Sequence, residues 1–167
     1  MRTEIQRQAV NFFIYVILQL PVLYRLVLFD KAFAFFYVAY LLLLPHKMSP
    51  TRTMTIGFVV GLLIDSFSNT PGIHAMACVI LSFARTPWLA IVKGKQDEVF
   101  SLNVYTLGFR GFLVFCLPLI LLHHFLIFFL ENGGFNPFGL IFIRVIYSTV
   151  FSFSLIWLSN YLITSKK

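Results

Sequence analysis

One lone carboxylate inside an apolar segment, Asp65, and the four histidines of the chain are the residues whose types could support acid–base or ligand chemistry. Asp65 lies in residues 55–75, TIGFVVGLLIDSFSNTPGIHA, eight positions after Gly57 and four after Gly61. On a helix rising about 1.5 Å per residue, this i, i+4, i+8 series stacks two glycines and a carboxylate on one face. A carboxylate in hydrocarbon costs roughly 2.5–3.5 kcal/mol on insertion scales, so Asp65 requires a partner. His123 and His124 are adjacent and point about 100° apart on a helix, whereas ligand pairs prefer i, i+4 spacing; no metal site is expected. His74 follows the turn at Gly72, where capping or hydrogen bonding is the expected role. Cys78 and Cys116 sit singly in apolar runs, without disulfide or metal spacing. The sequence has no glycine-rich phosphate loop, HExxH, nucleophile elbow or paired acids, and one carboxylate does not supply both acid and base. No catalytic residue, cofactor or enzymatic activity is expected.

The elements that position these residues are membrane helices. The chain is 59% hydrophobic and only 11% charged over 167 residues, with a mean hydropathy of +0.88, far outside soluble usage. At about 20 apolar residues per span, this length holds a single integral membrane domain, residues 1–167, and leaves no room for a soluble one. The formal charge of +7 comes from Lys and Arg scattered singly between apolar runs, not from a basic stripe, so nucleic acid is not an expected partner. Six runs stand out: 10–28, with Pro21 and Arg25 near its end; 32–44, short for a helix; the Gly57 helix; 73–92; 104–130, with Arg110 and Pro118; and 140–163, with Arg144 near its start. Arg2 and Arg7 ahead of the first run have signal-like character, but no small-residue cleavage site follows, so an uncleaved first span is expected.

The expected fold is an all-α polytopic bundle of about six transmembrane helices. With both termini cytoplasmic, Arg2, Arg7, Lys47, Arg52, Lys93, Lys95, Lys166 and Lys167 fall on the inner side, against Lys31 alone outside. In that arrangement Asp65 lies near the outer leaflet, as do Arg144 and Arg25, while Arg85 and Arg110 lie towards the cytoplasm. Asp65 is therefore expected to pair with Arg144 first and Arg25 second. The glycine face, a small-xxx-small surface of the kind that lets membrane helices approach closely, is expected to receive another helix of this chain or of a partner.

The combination Gly57, Gly61, Asp65, then a polar break, then Pro71 and Gly72 before another apolar helix resembles the signature region of the bacterial rod shape-determining protein MreD family. The match covers about 20 residues. The resemblance implies a multi-pass, non-enzymatic subunit of the cell-elongation machinery in the bacterial inner membrane. Its partners would be membrane lipids, an MreC-like membrane-anchored protein, MreB filaments, RodA and a penicillin-binding protein that synthesise peptidoglycan. The family is similar in architecture to the membrane-embedded substrate-binding subunits of energy-coupling-factor transporters, which gives the alternative expectation of a vitamin-like ligand. The charge asymmetry makes a direct prediction. Cysteines introduced in the KGKQDE loop of intact cells should be shielded from a membrane-impermeant thiol reagent, and those at Asn132 to Phe135 should be labelled; the reverse pattern would invert the topology.

Overall fold

The computed structural model describes residues 2–17, 19, 27–28, 31–93, 102, 104–134 and 138–164. Helix α1 (Arg2–Phe12) continues into one π-helical stretch (Phe13–Ile17). Two-residue strands β1 (Val27–Leu28) and β2 (Ala32–Phe33) pair antiparallel. A short helix α2 (Val38–Leu42) follows, and then four longer helices: α3 (Pro50–Ser68), α4 (Ile73–Lys93), α5 (Val104–Glu131) and α6 (Phe138–Thr164). The result is a mostly helical membrane bundle. Three helical stretches are long and apolar enough to cross a bilayer, Ile73–Val92, Thr106–Glu131 and Gly139–Ile163.

Six such helices were expected from the sequence, and three are found among the described residues. Of the other three runs, 10–28 lies partly outside the described residues, the Gly57 helix forms as α3 but is not among the stretches long and apolar enough to cross, and the third is the run 32–44. It is not a spanning helix. It comprises a strand, an extended passage and the five residues of α2, and from Phe36 to Leu42 its side chains are at most 9% exposed. Extended backbone within a membrane protein is tolerated only where protein groups satisfy its N–H and C=O groups, and here polar side chains do so. Ser148 Oγ accepts from Phe33 N at 2.9 Å and Ser152 Oγ from Phe35 N at 3.0 Å. The spacing explains the match: alternate residues of a strand are about 6.6 Å apart, and one turn of helix advances about 5.4 Å, so i, i+4 serines on α6 meet i, i+2 amides. Gln19 clamps the opposite edge, donating to Ala34 O and accepting from Phe36 N, both at 2.7 Å.

The carbonyls at the end of α2 are taken by Arg85, which is 2% exposed. Its Nε donates to Leu42 O at 3.1 Å and a terminal nitrogen donates to Leu44 O. A five-residue helix leaves its last carbonyls unpaired, and a cation at that end also suits the backbone dipoles. Arg85 lies within the stretch Ile73–Val92, as expected from the sequence, and serves there as a buried cap.

These contacts fix the direction of the segment. Phe35 lies beside His74 at the start of α4, with centroids 6.0 Å apart, while Leu42 and Leu44 meet Arg85 twelve residues into that helix. The segment therefore runs parallel to α4, and its serine partners make it parallel to α6. Against it run α1 and its π-helical extension, with Phe12 packed on Tyr40 at 5.5 Å and Tyr15 on Phe36 at 4.9 Å.

Helix α5 carries two breaks in regularity. Gly108 has φ 65°, ψ 169°, and separates one turn from the rest. Pro118 has no N–H to offer Val114 O four residues back, and the indole of Trp88 on α4 replaces it, with Nε1 3.1 Å from Val114 O and 3.2 Å from Phe115 O. Tyr37 and Tyr40, residue types that often mark membrane interfaces, are core residues here, 0% and 9% exposed.

Arg85→Met should destabilise the chain by about 2–5 kcal/mol in detergent unfolding, because two buried carbonyls lose their donor, at roughly 1–3 kcal/mol each. Arg85→Lys should recover only part, since an ammonium cannot span both oxygens with one rigid fork. An unchanged unfolding midpoint in the methionine variant would remove the capping role.

Candidate functional site: the Asp65 hairpin and its cavity

The site is built on the turn between α3 and α4. Helix α3 closes at Asn69, which is left-handed (φ 55°) and donates its N–H to Asp65 O. Pro71 and Gly72 then reverse the chain; Gly72 has φ +83°, a value that favours glycine. Being glycine, Gly72 has no side chain with which to cap α4. Asp65 caps it from seven residues upstream. Its Oδ1 accepts from His74 N and its Oδ2 from Ala75 N, both at 2.9 Å, the same pair of amides a local N-cap side chain would serve. The positive end of the α4 dipole further favours the carboxylate.

The two glycines make this possible. A Cβ on Gly57 would stand 2.8 Å from Cys78 O and 2.5 Å from Ser82 Oγ, and one on Gly61 would fall onto the backbone of Ala75. The glycine face is therefore filled by α4 of the same chain. Asp65 ends that contact and is 6% exposed.

Three further groups complete the network. Thr70 Oγ1 donates to Asp65 Oδ1 at 2.9 Å, and His74 Nδ1 lies 3.0 Å from Oδ1 and 2.9 Å from Thr70 Oγ1. An ionised carboxylate only accepts hydrogen bonds, so Nδ1 carries the imidazole proton. The expected ion pair of Asp65 with Arg144 is not formed: among the described residues its partners are Thr70, His74 and Ala75. Oδ1 accepts from Thr70 and from both His74 N and His74 Nδ1, and Oδ2 accepts from Ala75 N. Arg144 instead stacks on Phe33, its guanidinium carbon 5.9 Å from the ring centroid. Arg25, the second expected partner, and Pro21 lie outside the described residues, as do Lys95, Lys166 and Lys167.

Beside this hairpin is a cavity of about 200 Å³. Phe33, Phe35 and Phe128 form an aromatic wall, each pair of rings within 6.2 Å, and polar edges come from Gln19, Tyr37, Ser68, Thr70, His74 and Glu131. Deeper in, Tyr37 Oη meets His123 Nε2 at 3.0 Å, with Cys78 Sγ 3.9 Å from the same nitrogen. His124 Nδ1 donates to Ile120 O at 2.6 Å, so its Nε2 is an acceptor, 3.2 Å from Ser152 Oγ. Both histidines are fully buried, and among the described residues no cluster of three or more His, Cys, Asp or Glu could hold a metal.

Of the residues singled out in the sequence, Gly57, Gly61, Asp65, Pro71, Gly72 and His74 come together in the hairpin. Gln19, Tyr37, Ser68 and Glu131 were not anticipated; for Ser148 and Ser152, the i, i+4 spacing on an apolar helix was the available signal. No protein-family model matches the chain, and no curated protein or solved structure matches it.

A double-mutant cycle separates the hairpin cap from an ion pair. Asp65→Leu should cost about 2–5 kcal/mol, because two buried amides lose their acceptor. Arg144→Leu should cost under about 1 kcal/mol, and the double variant should equal the sum to within about 0.5 kcal/mol. A coupling larger than about 1 kcal/mol, measured by detergent unfolding, would restore the ion pair.

Proposed function

We propose that this chain is a non-enzymatic, multi-pass subunit of the bacterial cell-elongation machinery, a member of the rod shape-determining MreD type. It would pack against an MreC-like membrane-anchored protein and help organise RodA and a penicillin-binding protein in peptidoglycan synthesis. The observation that carries this reading is the use to which the GxxxGxxxD and Pro-Gly residues are put. Both glycines, Asp65 and Gly72 build one rigid α3–α4 joint, which is what a scaffold needs and a catalyst does not. With the glycine face filled from within, the partner surface shifts to the opposite side of α3, where Phe58, Val59, Leu62 and Phe67 are 41–61% exposed.

The same reading takes the chain across the inner membrane six times with both termini in the cytoplasm. Support comes from the alternating directions of consecutive segments and from the length of the second one. Four extended residues cover about 13 Å at 3.3 Å each and the nine helical and turn residues roughly 13 Å, together near the 30 Å of a hydrocarbon core. A run too short to cross as a helix is thus long enough to cross partly extended.

A second reading, a small-molecule binding subunit of a membrane transporter, is favoured by the cavity beside Asp65. Co-purification decides between them. From mild detergent, the tagged chain should bring down an MreC-like protein together with RodA or its penicillin-binding partner. Phe58→Ala with Leu62→Ala should lower that recovery about tenfold without shifting the unfolding midpoint. Recovery of transporter ATPase components in their place would overturn the scaffold reading, as would ridge variants that retain every partner.

A further inference from the structure

The cavity beside the α3–α4 hairpin has a chemistry of its own. His74 lines it and is 3% exposed. Its Nδ1–H is committed to Asp65 and Thr70, so a neutral ring offers only a lone pair at Nε2, and among the described residues nothing donates to that nitrogen. Ser68 also lines the cavity, and its buried Oγ has no hydrogen-bond partner among the described residues. Glu131, exposed at the end of α5, contributes a carboxylate at the rim. The wall is aromatic, from Phe33, Phe35 and Phe128. Among the described residues, no Lys or Arg lines the cavity.

We propose that this cavity binds a primary ammonium group, held by the free Nε2 of His74, the Ser68 hydroxyl and the Glu131 carboxylate against the phenylalanine wall. Acceptors and a carboxylate call for a ligand rich in donors, and aromatic faces attract cations through their ring quadrupole. A primary ammonium brings three N–H donors; a trimethylammonium brings none. The volume, about 200 Å³, is below the roughly 300–1,000 Å³ of sites for drug-sized molecules, which suits an aminoethyl group and not a large heterocycle. Arg144 sits outside the lining, on the Phe33 ring, where it would meet a phosphate attached to the amine. The same ammonium could arrive as a phospholipid headgroup or as a free amine. The site deepens the ligand-binding reading above. Binding by the purified chain is measured apart from transport, so that reading can fail for lack of transport while the site stands.

The test uses the full chain. In nanodiscs or by native mass spectrometry, phospholipids with ethanolamine, choline and glycerol headgroups compete for retention. In detergent, free ethanolamine and choline are titrated while the unfolding midpoint is followed, since a ligand that binds only the folded state raises it. The expected result is at least about tenfold preference for the ethanolamine form over the choline form, in the lipid arm, the free-amine arm or both, the arm identifying the source. Glu131→Gln should reduce binding about tenfold and Ser68→Ala severalfold, both with the ligand-free midpoint unchanged. Equal retention of ethanolamine and choline probes, no binding of either, or full binding by Glu131→Gln would overturn the proposal.

Discussion

The extended backbone of residues 32–35 and the end of the short helix α2 lie within the bundle without the hydrogen bonds a continuous helix would give them, and the rest of the molecule is arranged around that need. An unsatisfied buried amide or carbonyl costs about 1–3 kcal/mol in a protein and more in hydrocarbon. Backbone groups on this passage are met by side chains from other parts of the chain: Ser148 and Ser152 from α6, Gln19 from the first segment and Arg85 from α4. In lipid, helices are not driven together by the hydrophobic effect. The matching of polar groups therefore fixes register, and close packing of residues such as Tyr37, Leu41 and Leu42, all fully buried, supplies the attraction.

The Asp65 hairpin solves the same problem at one end of the bundle. A tight turn between two helices exposes the last carbonyls of one and the first amides of the other. Asp65 answers both, since its backbone oxygen accepts from Asn69 and its side chain from His74 and Ala75. That double duty explains why a carboxylate is placed in so apolar a helix. It also leaves His74 pinned on one edge and open on the other, so a structural cap presents a lone pair to the neighbouring cavity.

The parts legible in the sequence are those whose partners are close in the chain. Gly57, Gly61, Asp65, Pro71 and Gly72 fall within sixteen residues of one another, so helical spacing and turn chemistry alone predicted a close helix contact ending in a carboxylate. The identity of the carboxylate's partner was misjudged because depth in a bilayer favours a distant arginine equally well, while backbone amides one turn further along are invisible to a count of charges. The run 32–44 announced only that it was short. Its extended course depends on Ser148 and Ser152, more than a hundred residues later, and no local pattern encodes that pairing. Trp88 and Pro118 are likewise thirty residues apart, and an indole beside a proline-freed carbonyl leaves no periodic trace.

That long separation has a consequence for assembly. Helices α4 and α5 satisfy most of their own backbone hydrogen bonds, apart from the carbonyls freed by Pro87 and Pro118. The passage 31–44 does not, because among the described residues the side-chain acceptors for its amides at Phe33 and Phe35 lie on α6. A segment near the N-terminus must therefore stay in water, or stay helical, until α6 is present, since lipid-exposed extended backbone is not tolerated. The polar residues on α6 thus serve a later step than its apolar ones. Hydropathy suffices to insert α6, and Ser148 and Ser152 then draw the waiting segment into the bundle, closing the wall of the cavity with Phe33 and Phe35.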